Sequence, residues 1–451
     1  MRISVIGTGY VGLVSGVCLS EKGHQVCCVD NDQAKVDKIR SGVAPFFEEG
    51  LEPLLRKHLG RGLTVATDIR ASVHDSEMTL IAVGTPFDGR EIDLSTVREV
   101  ARQIGAALRD KPAYHTVVVK STVVPGTTDG PVRAILEKES GKKAGADFGL
   151  GMNPEFLTEG QAIEDFLEPD RIVMGGIDAR TVEALDRLYA PFPDTPKLRT
   201  NCRTAEMIKY TSNAMLATAI SFANEVGNLC EALGGIDVVE VMAGLHLAAY
   251  LRPYAERPGY VQAPLSAFFG AGCGFGGSCL PKDVKALIAH GERAGSPMPV
   301  LAAVMETNQG QPHRIEALLR KHFASLQGIR VAVLGLAFKP DTDDIRETPA
   351  LPIIRDLLAA GAAVRAYDPA AVANAKAALR DDRVAFAASL EACIADAQAV
   401  VLVTRWSEFQ KLPDLLAGRP QPPVVVDGRR ALDKTRIARY EGIGLRAQET
   451  P

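Results

Sequence analysis

Nowhere does the chain hold an uninterrupted apolar stretch approaching the roughly 20 residues that a bilayer-spanning helix needs, so no membrane association is expected. It also lacks an excess of either charge. Fifty-one Lys+Arg face 55 Asp+Glu for a formal net charge of −4, which argues against a broad nucleic-acid footprint. Cysteine is sparse: eight in 451 residues is far below the density of a disulfide scaffold. No two cysteines stand as C-x-x-C and the histidines fall at no metal-ligand spacing, so no metal site is expected. The opening MRISVIGTGY has no charged-then-apolar leader and runs straight into a strand, from which a cytoplasmic location is expected. Short-period repeats and low-complexity tracts are missing too. What remains is 46% hydrophobic and 24% charged, an ordinary globular balance whose length suggests about three domains.

The first thirty residues carry the clearest local signal. Ile3–Ile6 is a short apolar run, Gly7-Thr8-Gly9-Tyr10-Val11-Gly12 follows, a helical stretch reaches Glu21, and a second apolar run, Val26–Val29, ends in Asp30. That is one βαβ unit closed by an acid. Apolar runs at Met78–Val83, Thr116–Val119 and Phe148–Gly151 alternate with helical stretches, which implies a parallel sheet wound on both faces. From Arg203 to Leu233 there is no proline and only Gly227 interrupts strong helix formers. The spacing predicts one helix of about 45 Å, a connecting spine and subunit contact; two helices broken near Gly227 are the alternative. The alternation then restarts at Val331–Gly335, Val364–Tyr367, Val400–Thr404 and Val424–Asp427. The expected fold is therefore α/β: two Rossmann-like, doubly wound domains joined by a long central helix. The expected domains are 1–200, 201–300 (long helix and cysteine loop) and 301–451. Gly335-Leu336-Ala337 keeps one glycine where the first unit has three, so the second domain should take a different ligand.

Gly7, Gly9 and Gly12 let backbone N–H groups approach a pyrophosphate at a helix N-terminus. Asp30 can accept from the adenosine ribose hydroxyls, favouring NAD over NADP, a preference that Lys35 weakens slightly. In Gly274-Phe275-Gly276-Gly277-Ser278-Cys279-Leu280-Pro281-Lys282-Asp283, Pro281 can open a helix, placing Cys279 at an N-terminus that favours thiolate, with Lys282 adding positive charge and Asp283 one turn on. Cys18, Cys27, Cys28, Cys202, Cys230 and Cys393 read as inert packing, and Cys273 is harder to dismiss. Spacing alone leaves Cys279 open between nucleophile and packing residue. Lys209 and Asn213 stand at i and i+4 on the long helix, either as oxyanion donors or as a solvated polar stripe. Glu155 in Asn153-Pro154-Glu155-Phe156-Leu157 and Thr122 in Lys120-Ser121-Thr122 both follow strands, where ligands bind in open parallel sheets; turn or capping roles are the alternative.

Taken in order, these motifs resemble those of the UDP-glucose/GDP-mannose dehydrogenase family over nearly the whole chain. Val83-Gly84-Thr85-Pro86, Ala337-Phe338-Lys339-Pro340, Arg346 and Asp427-Gly428-Arg429-Arg430 extend the series. The resemblance implies a four-electron oxidation of a nucleotide-sugar C6 alcohol to a carboxylate with two NAD reduced. UDP-glucose is the first choice, with GDP-mannose or a UDP-N-acetylhexosamine as the alternative. It implies Cys279 as nucleophile through a thiohemiacetal and a thioester. Lys209 and Asn213 would stabilise the oxyanion, and Asp283, Thr122 and Glu155 would place or activate water. Around NAD it sets the glycine turn, Asp30, Tyr10, Val11, Lys35, Thr85, Thr122, Glu159 and Lys282, with Arg346 from the second domain. Toward the sugar nucleotide it sets Glu155, Phe156, Leu157, Lys209, Asn213, Phe275, Gly276, Cys279, Phe338, Lys339 and Arg430. A homodimer built on the long-helix region is also implied. Two stretches depart from the family pattern. The approach to Cys273 is longer, leaving Arg252 or Arg257 as the arginine that reaches a partner subunit, and Glu48-Glu49-Gly50-Leu51 replaces Glu-Pro-Gly-Leu.

Overall fold

The computed structural model describes residues 1–248, 251 and 263–446, and divides the chain into two units, Met1–Ser212 and Asn213–Pro451. The first unit is built on strands β1 (Arg2–Ile6), β2 (Gln25–Val29), β3 (Leu63–Ala66), β4 (Met78–Ile81), β5 (Thr116–Val119), β6 (Gly149–Met152), β7 (Ile172–Gly176) and β8 (Lys197–Thr200). They lie in the order β3-β2-β1-β4-β5-β6-β7-β8, parallel throughout except where β7 runs antiparallel to β6. Strands β4, β5 and β6 are buried on both faces, which is why they read as unbroken apolar runs rather than alternating ones. The order reverses between β1 and β4, and open sheets of this kind bind ligands outside the strand C-termini at that reversal.

The second unit repeats the plan with β9 (Arg330–Leu334), β10 (Ala363–Tyr367), β11 (Ala385–Phe386), β12 (Ala399–Leu402), β13 (Val424–Asp427) and β14 (Tyr440–Gly442). Their order is β11-β10-β9-β12-β13-β14, every pair parallel. Its core gathers Val331, Val333, Val400, Val401, Val425 and Ile353 among many others, all 1% exposed or less.

The chain passes from one unit to the other inside a single helix, Cys202–Leu233, of 32 residues. Asn201 starts it by accepting the Thr204 amide at 2.8 Å, and Gly234, at φ +72°, ends it by returning its amide to the Cys230 carbonyl at 3.0 Å. Gly227 does not break it. A methyl group there would come within 3.1 Å of the Ala271 Cβ and 3.6 Å of the Gly444 Cα, so the residue is small because neighbouring chain crosses close to the helix. Among the described residues no helix is long and apolar enough to cross a membrane, and no three His, Cys, Asp or Glu side chains are grouped to hold a metal ion.

Candidate active site

In the first unit the turn after β1 is shaped by its glycines. Gly7 has φ +102°, gives its amide to the Val29 carbonyl at 2.7 Å, and leaves no room for a methyl, which would stand 2.5 Å from the Ala82 carbonyl oxygen. A methyl on Gly12 would stand 1.9 Å from the Gly7 carbonyl oxygen, so the helix Tyr10–Glu21 can seat this closely only on glycine. Gly9 is different: its φ of −69° suits any residue, and a methyl there would meet nothing within 4 Å. The fold does not need glycine at that position, but a pyrophosphate approaching the uncapped helix N-terminus does. These residues fit NAD. Gly9→Ala is accordingly expected to leave the melting temperature within a degree or two while weakening NAD binding roughly tenfold or more, by titration of the purified protein.

Asp30, at the end of β2, is buried. Its Oδ2 accepts from the Thr8 amide (2.9 Å) and hydroxyl (2.6 Å), its Oδ1 from the Asp32 amide (3.1 Å), and the Lys35 ammonium lies 3.4 Å away. Burial pushes its carboxyl up, but these donors and the lysine outweigh it and hold the group below the usual carboxylate range. It is an anionic acceptor with lone pairs to spare. Its counterpart in the second unit, Asp368 after β10, accepts five donors: the amides of Leu336, Ala337, Ala370 and Ala371 and the Trp406 indole. There the acid closes its own loop.

Beyond the turn, Tyr10 donates to buried Glu48, whose carboxylate also accepts the Gly160 and Ala162 amides, both at 2.7 Å. Burial, Glu48 and the charge of Glu159 push the Tyr10 phenol up. Glu48 thus fastens the Glu159 loop to the first helix, a role the spacing around it did not announce. Val11 follows Tyr10 in that helix, half-buried. Thr85 gives its hydroxyl to the Thr122 carbonyl at 2.8 Å, tying the loops after β4 and β5 together.

Glu155, after β6, meets Lys209 of the long helix at 3.0 Å, the two side chains 6% and 4% exposed. Burial pushes the Glu155 carboxyl up, but Lys209, the Leu157 amide (2.7 Å) and Lys120 pull it below its usual range. The Lys209 ammonium also lies 5.5 Å from the Phe156 ring centre. Lys120 donates to Asn153 at 2.9 Å, and burial brings its ammonium down to about 8.

In the second unit the helix Leu280–Arg293 begins as the spacing predicts, with Cys279 at its N-cap and Pro281 in its first turn. Cys279 is half-buried, 3.5 Å from the Ser278 hydroxyl. Asp283, buried, gives its amide to the Cys279 carbonyl at 2.9 Å, and its carboxylate accepts from Asn213 at 2.6 Å and pairs with Lys282. Thiol, carboxylate and amide are thus assembled on one helix end, and Lys209 stands one turn before Asn213 on the long helix. The preceding loop is clamped: Asn308 bonds both the amide and the carbonyl of Phe275 (2.8 and 3.0 Å), and the Gly277 amide reaches the Arg346 carbonyl at 2.8 Å. A methyl on Gly276 would strike the Glu347 carbonyl at 2.2 Å. The Arg346 guanidinium lies exposed and forked onto Asp344.

A cavity of about 200 Å³ opens in this unit between Phe275, Phe338, Lys339, Thr404, Arg405 and Arg429 and the segment 267–271. Phe275, Phe338 and Lys339 thus come together as expected of neighbours around one ligand. Arg430 does not join them. It has φ +51° and is turned away, buried against Asp237 at 2.7 Å, with further bonds to the Tyr440 hydroxyl and the Ile443 carbonyl. Its neighbour Arg429 reaches the cavity, braced on the carbonyls of Val403 and Gly274 at 2.6 Å each. Arg405, which lies just past β12 at a strand C-terminus, was detectable by the positional rule that singled out Thr122. Three cations and no carboxylate line the space, which suits a diphosphate. Arg252 and Arg257 lie outside the described residues.

A glycine turn that fits NAD, together with a thiol at a helix N-cap one turn before a buried carboxylate and a cationic cavity, defines an NAD-dependent dehydrogenase. Family models match in chain order: the UDP-glucose/GDP-mannose dehydrogenase NAD binding domain over residues 1–193, its central domain over 203–310 and its UDP binding domain over 332–434. UDP-glucose 6-dehydrogenase AglM of Haloferax volcanii is 40% identical over 448 residues, covering 98% of this chain and all of that one. GDP-mannose 6-dehydrogenase of Pseudomonas aeruginosa is 41% identical over 372 residues, 82% of this chain and 81% of that one. The solved UDP-glucose dehydrogenase of Pyrobaculum islandicum matches with a TM-score of 0.89 at 39% identity, covering 98% and 97% of the two chains. The chain belongs to the UDP-glucose/GDP-mannose dehydrogenase family and is an NAD-dependent nucleotide-sugar dehydrogenase.

Proposed function

We propose that the protein oxidises UDP-glucose to UDP-glucuronate through a covalent intermediate on Cys279. The observation that carries this is the cluster at the start of the helix Leu280–Arg293, where a half-exposed thiol shares one turn with a buried carboxylate already bonded to Asn213. NAD accepts a hydride in each of two oxidations. The first leaves the C6 alcohol as an aldehyde. Cys279 Sγ adds to that carbonyl, which prevents its escape and leaves a thiohemiacetal with a second hydride to lose. The resulting thioester is then opened by water, the C–S bond breaks and the thiolate returns. The sum is one alcohol, two NAD and one water giving one carboxylate, two NADH and three protons.

Lys209 and Asn213, neighbours on one helix face, donate to the oxygen that gains charge at each stage. Glu155, held ionised by Lys209, is a poor base and serves to aim that ammonium. Activating water falls to Asp283, with Thr122 and Glu155 helping to place it. Phe275, Phe338, Lys339, Arg405 and Arg429 take the nucleotide and diphosphate. We assign residues 1–200 to NAD, 201–300 to the helix and cysteine loop, and 301–451 to the sugar nucleotide. We further infer a cytoplasmic homodimer. Met215, Phe222, Leu229 and Leu233 form an exposed apolar stripe along the long helix, 46–66% exposed for the last three, which a second copy would cover.

UDP-glucose is favoured over GDP-mannose by the structural match, a TM-score of 0.89 to the solved UDP-glucose dehydrogenase against 0.55 to the solved GDP-mannose dehydrogenase. The test is NADH formed per sugar consumed, with product mass, across UDP-glucose, GDP-mannose and UDP-N-acetylhexosamines. Two NADH and a uronate from UDP-glucose are expected; turnover with GDP-mannose alone would sink the proposal.

A further inference from the structure

The segment after β5 carries Lys120, Ser121 and Thr122, then turns at Gly126, φ +89°, into the short helical turn Thr128–Val132. That turn holds its shape poorly by itself, since Gly130 leaves helical φ/ψ and Pro131 has no N–H to give. One buried side chain fastens it to the long helix. Glu206, 0% exposed, stands one turn before Lys209; its Oε2 accepts the Gly126 amide at 2.6 Å and its Oε1 the Thr128 amide at 2.8 Å. The neighbouring cations are engaged elsewhere, Arg203 with Asp129 at 2.8 Å and Lys209 with Glu155 at 3.0 Å. Each of the two N–H groups meets its own oxygen, an arrangement that a carboxylate offers and a carboxamide, with one acceptor oxygen and an NH2 donor, does not. A buried charge held by amides alone is costly for a contact that serves only to pack a loop.

We propose that Glu206 is a positioning residue: its carboxylate sets the Thr122 segment against the Lys209 turn, so that the Thr122 hydroxyl and the Lys209 ammonium keep one arrangement through both oxidations. This rests on the catalytic roles given above to Thr122 and Lys209. The titratable groups that face Glu206 are Asp129 from the loop, itself paired with Arg203, and Cys202 from its own helix. Burial pushes its carboxyl up to about 7, more than the Thr128 and Gly126 donors pull it down. The ionised form accepts both amides and the protonated form accepts fewer, so the dock loosens as pH falls through neutrality.

The test compares wild type and Glu206→Gln as full-length proteins. Hydrogen exchange is followed by peptide over 121–132, and kcat and KM are measured from pH 6 to 8.5. Expected are exchange around 126–128 faster by about tenfold with the β5 peptides unchanged, and a kcat about tenfold lower or worse at pH 8.5 with KM for the sugar nucleotide within about twofold. The wild-type to variant kcat ratio should shrink toward pH 6, where wild type loses the charge the variant lacks. Unchanged exchange, or a kcat ratio flat with pH, would overturn the proposal. If Gln prevents folding, Glu206→Asp carries the same test: it keeps the charge but shortens the reach, so a lower kcat with the wild-type pH trend is expected, and a wild-type kcat refutes it. The exchange arm needs no substrate. It therefore separates failure of this proposal from failure of the UDP-glucose assignment, in which case kinetics are run on whichever nucleotide sugar is oxidised.

Discussion

Cys279→Ala should form uronate at least about 10⁴-fold more slowly than wild type, because it removes the thiol proposed to hold the aldehyde for its second oxidation. Its stability should change by less than about 1 kcal/mol, since Cys279 is half-exposed and its side chain does not cap the helix it precedes. NAD affinity should be unaffected, because the glycine turn and Asp30 belong to the other unit. The measurement is a single-turnover NADH trace with the intact protein mass taken in parallel. Wild type should show two NADH per sugar and a transient adduct on Cys279. The variant should show neither the adduct nor the second NADH. Two NADH per sugar from Cys279→Ala at a near-wild-type rate would remove the thiol from the chemistry and leave a simple two-electron dehydrogenase run twice.

That Cys279 could be singled out at all reflects how local its signal is. A proline, an acid and glycines within ten residues dictate a tight loop and a helix start, and the helix does run Leu280–Arg293. The same holds for β5 and β13, whose observed limits, Thr116–Val119 and Val424–Asp427, are those of the apolar runs. What was not legible depends on long-range context. Strand β8, Lys-Leu-Arg-Thr, is polar and becomes a strand only because β7 offers it an edge. β7 in turn runs against β6, so a uniformly parallel expectation passes over it. Arg429 and Arg430 are adjacent and chemically alike; which one faces the cavity is decided by a positive φ at Arg430 and by Asp237, 193 residues away in sequence. No periodicity argument reaches that far. Glu206 and Glu48 escaped for a related reason: each holds two backbone amides, which leave no residue-type signature in a sequence, and the side-chain donor to Glu48, Tyr10, lies 38 residues away.

Lys209→Ala should damage stability and chemistry together, and a second substitution should pull the two apart. With Lys209 gone, Glu155 remains buried with the Leu157 amide and the more distant Lys120 as its compensation. Leaving one member of a buried pair typically costs about 3–5 kcal/mol, which for a unit of this size lowers the melting temperature by on the order of 10 °C at pH 7–8. The sign with pH follows from the direction of the shift. Lys209 holds the Glu155 carboxyl below its unfolded value, so the pair's contribution is present above that value and is lost as pH falls through the folded one. The gap between wild type and Lys209→Ala should therefore narrow on acidification, in melts run from pH 8 to pH 4. Activity should fall about 10²–10³-fold through loss of an oxyanion donor, with no such narrowing attributable to stability. Lys209→Met combined with Glu155→Gln removes both charges while keeping volume and an acceptor for the Leu157 amide. It should regain most of the lost melting temperature and none of the lost kcat. If the double variant recovers activity along with stability, the ammonium is a brace for the β6 loop, and oxyanion stabilisation falls to Asn213 alone.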